Sequence, residues 1–344
     1  MGGTAGAAPT SIGFLLIPRF NMMALVATIE PLRVANYVAT RPLYRWDYLS
    51  PDGAEVTASN GMVQATQALE ANKPSWDWVF FCGSWQSEHY DNPKLFAWLR
   101  RLDRRGVTLG AMDNGAYVLA RAKLLAGHRA TVHWHGLGAF AEQYPATAAA
   151  DQLYVIDRKR MTIAGGTAGL DLMLALIERD HGQQLALEVA DQILHTPRDG
   201  ERRQRQTLGG KQKTLHPIVR KAVELMEDNL EEPLAVPDLA ARLEVSQRKL
   251  ERLFKSFMGC SVIALYQAIR LQNARVLLTN TKLSVRQVSV ACGFASLSYF
   301  SKCFAAHFGK KPRDYREAWP EPDPAPLWPG TLFAMVEANK ITET

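Results

Sequence analysis

Between Val236 and Arg316 the chain says the same thing twice. The first pass runs from Asp238 to Gly259 and the second from Val288 to Gly309. An offset of 50 residues sets Ala241 on Ala291, Ser246 on Ser296, Phe254 on Phe304 and Gly259 on Gly309. Each pass reads as a short helix, a tight turn and a longer helix opened by a serine. Ser246 and Ser296 are good N-caps, because a side-chain oxygen can take one of the amide protons a helix start leaves unpaired. In the longer helices Leu250, Leu253, Phe254 and Phe257 recur at helical spacing, as do Phe300, Cys303, Phe304 and Phe308. That spacing predicts one buried face per helix. The opposite face carries Gln247, Arg248, Glu251, Arg252 and Lys255 in the first copy, and Leu297, Ser298, Ser301 and Lys302 in the second.

A short helix, a turn and a capped second helix with polar and basic tips is the geometry that reads a DNA major groove. One such hairpin is equally an ordinary helical pair with a solvated face. Two at fixed spacing favour DNA. Charge agrees: residues 201–319 hold 21 Lys+Arg against 11 Asp+Glu, a net of +10, while the remainder holds 19 against 23, a net of −4. A basic module joined to a mildly acidic one fits a nucleic-acid binder tied to a part with another task.

The run Ala291-Cys-Gly-Phe-Ala-Ser-Leu-Ser-Tyr-Phe-Ser-Lys-Cys-Phe, followed by Phe308-Gly-Lys-Lys-Pro-Arg-Asp-Tyr-Arg316, closely resembles the signature of the AraC/XylS family of transcription regulators. The resemblance covers about 100 residues, 216–319. It implies two helix-turn-helix units joined by a linker helix over 261–279, placing recognition helices in two successive major grooves of double-stranded DNA. It also implies RNA polymerase as a partner.

Ahead of this lies a different grammar. At 344 residues the chain exceeds what one hydrophobic core organises, so two domains are expected. The apolar run 12–18 reads as a strand buried on both faces. Residues 22–38 read as a helix with a break at Pro31. Further strands are expected near 46–50, 78–83, 107–112, 130–133, 153–157 and 161–164, with helices near 93–105, 114–122, 169–179 and 183–194. This alternation predicts a doubly wound α/β domain with a mostly parallel sheet. The polar, basic, glycine-bearing stretch after Pro197 reads as a linker. The expected organisation is an α/β domain over 10–196, a linker over 197–214, an all-α DNA-binding domain over 215–319 and a Pro-rich tail over 320–344.

Gly110-Ala-Met-Asp113-Asn-Gly-Ala-Tyr reads as a strand, an abrupt turn and a helix, which is the geometry of a nucleophile elbow. With His133 downstream and Gly165-Gly-Thr-Ala-Gly-Leu-Asp near the end, residues 12–194 resemble the class I glutamine-amidotransferase-like fold of PfpI-type peptidases. In that fold a cysteine stands at the elbow and a histidine follows about 20 residues later. Here the elbow holds Asp113, a poor nucleophile for acyl transfer, so no thiolate–His pair can form. Cys82 is a candidate substitute, but no histidine pairing can be read for it, and a buried structural cysteine fits better. His128, His133 and His135 carry no acidic partner at ligand spacing, so no metal is expected. No catalytic residue and no cofactor are expected: the pocket is kept and the catalyst is not. An amidase or peptidase fused to a DNA-binding module, and a regulator with no ligand, are the alternatives.

The whole chain is similar to AraC-type regulators with an amidotransferase-like sensing domain. The stretches 20–36 and 113–121 resemble regulators of carnitine and glycine betaine catabolism. This implies a homodimer formed by the N-terminal domain that activates transcription when a small effector binds. Such effectors carry a quaternary or substituted ammonium, held by aromatic faces, and a carboxylate, held by amides or arginine. The expected ligand residues are Glu30, Trp85, Asp113, Asn114, His133 and Trp134. Four cysteines without a C-x-x-C pair, a start without a basic leader and no apolar run near the roughly 18 residues a bilayer requires predict a cytoplasmic protein.

Overall fold

The first apolar run forms β1 (Thr10–Leu16), with Ile12, Phe14, Leu15 and Leu16 fully buried. In the computed structural model, residues 8–69, 76–84, 86–204, 216–281 and 283–317 are described. The chain divides into two units after Gln204.

In the first unit β1 is followed by α1 (Met22–Val38), β2 (Tyr44–Ser50), the hairpin β3 (Val56–Thr57) and β4 (Val63–Gln64), and β5 (Gln67–Ala68). Then come β6 (Trp78–Cys82), α2 (Pro93–Arg104), β7 (Thr108–Met112), α3 (Ala116–Arg121), β8 (Arg129–Ala130), α4 (Leu137–Gln143) and β9 (Ala148–Ala149). The unit closes with β10 (Tyr154–Asp157), β11 (Arg160–Ile163), α5 (Ala168–His181) and α6 (Gln183–Gln192). The main sheet has the order β10-β11-β7-β6-β1-β2-β5 and is parallel except for the β10/β11 hairpin at its edge. Side chains alternate along each strand, so neighbours feed opposite cores. Ile12, Phe14, Phe80 and Cys82 pack with α1, α5 and α6; Leu15, Val79, Phe81 and Leu109 pack with α2, α3 and α4.

Three details depart from expectation. Pro31 sits inside a continuous α1 without ending it. Ile29, Pro31, Leu32 and Ala35 are all buried there, and burying apolar side chains at about 1.5–3 kcal/mol each outweighs the roughly 3 kcal/mol a helix-interior proline costs. The strand expected over 130–133 is only Arg129–Ala130, paired with β9 in a separate two-stranded sheet. His133 therefore leaves strand geometry and caps a 3-10 turn, Trp134–Gly136.

The third concerns the expected linker, whose first residues are fastened to the first unit. Asp171 on α5 is fully buried and takes four hydrogen bonds. They come from His195 Nε2 (2.8 Å), the Arg198 amide (2.8 Å), and Arg198 Nε (3.0 Å) and Nη2 (2.6 Å). Arg198 Nη2 also reaches Thr167 Oγ1 at 2.9 Å. The Leu153 amide donates to Gly200 O at 3.2 Å, and Gly200 lies against Tyr154 so closely that a Cβ would fall 2.5 Å from its ring. Gln204 Nε2 donates to Thr131 Oγ1 and Val132 O, both at 2.8 Å. A buried carboxylate needs such partners, and composition alone does not reveal that it has them.

The second unit is helical: α7 (Pro217–Asp228), α8 (Val236–Arg242), α9 (Gln247–Met258), α10 (Val262–Asn280), α11 (Val285–Ala291), α12 (Leu297–Phe308) and α13 (Pro312–Glu317). Ser246 and Ser296 cap α9 and α12, each accepting an amide at 3.3 Å, from Lys249 and Tyr299. Both helices end on a left-handed glycine, Gly259 and Gly309. The offset of 50 holds for α9 and α12 but not for the helices before them. Leu239 pairs with Val288, Ala240 with Ser289, and the left-handed Glu244 with Gly293, an offset of 49. Ala291 therefore matches Arg242, and the second turn is one residue longer. Gly293 is required there, since a Cβ would come within 2.6 Å of Leu230 O. The tail expected over 320–344 lies outside the described residues.

Candidate functional site

The loops after β1, β6, β7 and β11 leave the sheet at the same edge, because those four strands are mutually parallel. That edge is where an open α/β sheet offers a crevice. Asp113, directly after β7, is held at φ 56° and is buried. Aspartate is among the few residues that tolerate this left-handed geometry. Its Oδ1 accepts the Asn114 amide at 2.9 Å and its Oδ2 accepts Asn21 Nδ2 at 2.7 Å. Asn21 also caps α1 through Oδ1, which accepts the Ala24 amide. Glycines make room: a Cβ on Gly165 would sit 3.0 Å from Asp113 Oδ2, and one on Gly83 would sit 2.9 Å from Gly115. Burial pushes the Asp113 carboxyl above the usual carboxylate range, opposed by the neighbouring His133, Asn21 and the Asn114 amide.

Beside it, Glu88 is 6 % exposed. Burial pushes its carboxyl up to about 7, against amide hydrogen bonds from Glu88 and Gln86; Asp113 adds to the rise and Arg121 opposes it. Arg121 is itself held by the carbonyls of Glu88 and Tyr90. Among the described residues, no donor reaches Glu88 Oε2 or Asn114 Oδ1. Tyr117 Oη donates to Gly136 O at 2.7 Å, tying α3 to the turn that carries His133 and Trp134. The rings of His133 and Trp134 are 5.2 Å apart.

Of the ligand residues expected from sequence, Asp113, Asn114 and His133 come together, with Trp134 against His133. Glu30 does not join them: Arg33 takes its carboxylate in a two-pronged pair at 2.7–3.0 Å on an exposed face of α1. Trp85 lies outside the described residues. Asn21 and Glu88 were not anticipated. Asn21 carried a signal, an asparagine just ahead of an apolar periodic run; Glu88 carried none. Cys82 is fully buried, 3.7 Å from Phe80 O and from Met112 Sδ, and burial pushes its thiol far up, away from the thiolate form. All four cysteines are buried and none is in a disulfide.

In the second unit, Gln247, Arg248, Arg252 and Lys255 are exposed on α9, and Leu297, Ser298 and Lys302 on α12, with Ser301 half-buried. Glu251 differs. It is half-buried, and its carboxylate accepts the Val262 amide at 3.4 Å, at the start of α10. An acceptor at a helix N-terminus is favoured by the unpaired amides there. Phe257, expected on the buried face, is 40 % exposed and meets the His216 ring. Arg270 braces the second turn: it donates to Cys292 O (2.7 Å) and Gly293 O (2.6 Å) and lies 4.1 Å above the Phe294 ring.

Residues 239–318 match the helix-turn-helix domain family and residues 11–179 the DJ-1/PfpI family. The HTH-type transcriptional regulator CdhR of Pseudomonas aeruginosa is 44% identical over 319 residues, 92% of this chain and 94% of the relative. The HTH-type transcriptional regulator GbdR of the same species is 41% identical over 322 residues, covering 93% and 88%. A crystal structure of an AraC family transcriptional regulator from Pseudomonas putida matches 54% of this chain and all of its own, at 27% identity and a TM-score of 0.51. Among the described residues no helix is long and apolar enough to cross a membrane. The chain belongs to the AraC family of HTH-type transcriptional regulators, here with a DJ-1/PfpI domain ahead of the DNA-binding unit.

Proposed function

We propose that the DJ-1/PfpI domain of this DNA-binding transcription regulator senses a small effector and performs no acyl transfer. The observation that carries this is Asp113: at the elbow stands a buried carboxylate already engaged by Asn21 and the Asn114 amide. A carboxylate so held is a poor nucleophile, and Cys82 is too buried to replace it. The residues left for a ligand are Asp113, Asn114, His133 and Trp134. A small quaternary or substituted amine of the carnitine and betaine type suits them, its cation set between a carboxylate and an aromatic face. The acting form is a homodimer made by the N-terminal domain, which activates genes of small-molecule catabolism together with RNA polymerase. One monomer presents α9 and α12 to successive grooves, about 10 bp apart, and a second copy raises avidity by making its own binding intramolecular. Control requires the effector to bind one arrangement of the pair better than another.

Calorimetric titration of the full chain with glycine betaine, dimethylglycine, carnitine and unrelated amino acids tests this. Saturable binding of a betaine-type ligand, weakened by Asp113→Ala or Trp134→Ala, is expected. Tight binding of a molecule with no cationic nitrogen removes the effector class, and amide or peptide turnover lost in Cys82→Ala removes the non-catalytic assignment.

A further inference from the structure

The two recognition helices open on different chemistry. α9 begins Gln247, Arg248, and α12 begins Leu297, Ser298; one turn on, α9 has Glu251 and Arg252 where α12 has Ser301 and Lys302. Leu297 directly follows the Ser296 cap and is 42 % exposed, while Phe300, Cys303 and Phe304 fill the buried face. The N-terminal residues of such a helix are those that meet base edges. A leucine there offers nothing to phosphates or to base donors and acceptors. What a major groove offers to an apolar side chain is the thymine 5-methyl group, whereas the guanidinium of Arg248 matches guanine O6 and N7. Resting on the reading that both helices enter DNA, we infer that Leu297 makes the second unit a reader of a thymine methyl and Arg248 makes the first a reader of guanine.

The test uses a duplex selected from a random library by the full chain. Each thymine is replaced singly by deoxyuridine, which removes the methyl group alone. One or two replacements in the segment covered by the second unit should weaken binding about fourfold, the worth of one buried methyl. In Leu297→Ala the same replacements should have no effect, and Leu297→Gln should move the preferred base to adenine, which glutamine can grip twice. If uridine is tolerated within twofold throughout that segment while Ser298→Ala and Lys302→Ala still weaken binding, the methyl reading is wrong and the two-groove reading stands. If neither the replacements nor those variants matter, both are wrong.

Independent of the DNA surface, the fastened segment 195–204, the last stretch of the first unit, is anchored at two places that adjoin the Asp113 site. Gln204 binds Thr131 and Val132, and Val132 immediately precedes His133. Arg198 binds Thr167, two residues beyond Gly165, which lies against the Asp113 carboxylate. The chain then passes to the second unit. Taking Asp113 as the sensing site, we propose that this strap carries the state of that site to the DNA-binding unit. Whatever shifts the His133 turn or the Gly165 loop also shifts the anchors of Gln204 and Arg198.

A double-mutant cycle on operator affinity tests the strap without any effector, using Asp113→Asn, Gln204→Ala and the pair in the full chain. Sites that do not communicate give the product of the single effects. A departure of fivefold or more is expected, with faster amide exchange at Leu153 and Arg198 in Asp113→Asn. Multiplicative effects with unchanged exchange overturn the strap. The effector titrations stand or fall separately.

Discussion

Replacing Glu88 by glutamine should stabilise the protein at alkaline pH and leave it unchanged in acid. In the native protein the Glu88 carboxyl is moved from its ordinary 4.5 to about 7, chiefly by burial. Between those values the native state holds a proton that the unfolded chain has released, so stability falls as pH rises through this window and is fully present below it. At about 1.4 kcal/mol for each tenfold change in proton affinity, the loss is about 3 kcal/mol by pH 8. Glutamine keeps an oxygen for the amides of Gln86 and Glu88 and never ionises. Urea unfolding of the full chain at pH 4.5 and pH 8, followed by tryptophan emission, measures the difference; six of the eight tryptophans lie before residue 205. The variant should gain up to about 3 kcal/mol at pH 8 and nothing in acid. An equal change at both pH values would mean that packing or hydrogen bonding dominates and not charge burial.

Asp171→Ala leaves Arg198 and His195 without their shared acceptor and should cost about 3–5 kcal/mol, visible as a lower Tm and as cleavage by protease after residue 195. Arg270→Ala removes two charge-assisted hydrogen bonds and a ring contact that hold the second turn; operator affinity should fall at least tenfold with α9 contacts intact by footprinting. Arg270→Lys should recover little, because a lysine has no fork. Lys302→Ala should weaken DNA binding evenly across sequences and lower the slope of log K against log salt by about 1.

The DNA-binding unit was legible because its signals are local. Serine caps, left-handed glycines and a 3.6-residue apolar period are all written within a dozen residues. The extra residue in the second turn was not, since two positions adopting positive φ, Glu244 and Gly293, differ in type and conceal the register change. The candidate site was half legible. Asp113 stands on a recognisable strand–turn–helix, but its partner Asn21 is 92 residues away in sequence and arrives only through the crossover of a parallel sheet. The engagement of Glu30 by Arg33 is not legible, because nothing in sequence tells a helix carboxylate facing a pocket from one three residues ahead of an arginine it can grip. The fastening of the linker's first residues is not legible, because polar, basic residues bind a buried carboxylate as readily as they face water.

The chemistry at the elbow bears on why a regulator would keep it. Asp113 stands in a left-handed conformation, buried, with its carboxyl pushed above the usual carboxylate range by that burial. Glu88, equally buried, resists ionisation beside it. Burying carboxyl groups costs stability, and a domain needing only a packed core would fill the same space with apolar groups. On the proposed sensing role, what the arrangement gains is sensitivity. A cation set beside Asp113, on the effector reading proposed above, would oppose the burial that raises its carboxyl and favour the hydrogen bonds it accepts from Asn21 and the Asn114 amide. The cap of α1, the turn after β7 and the loop after β11 all meet at that carboxyl. Whatever moves that carboxyl thus reaches three elements of the sheet edge at once, which is the coupling the proposed sensing role requires.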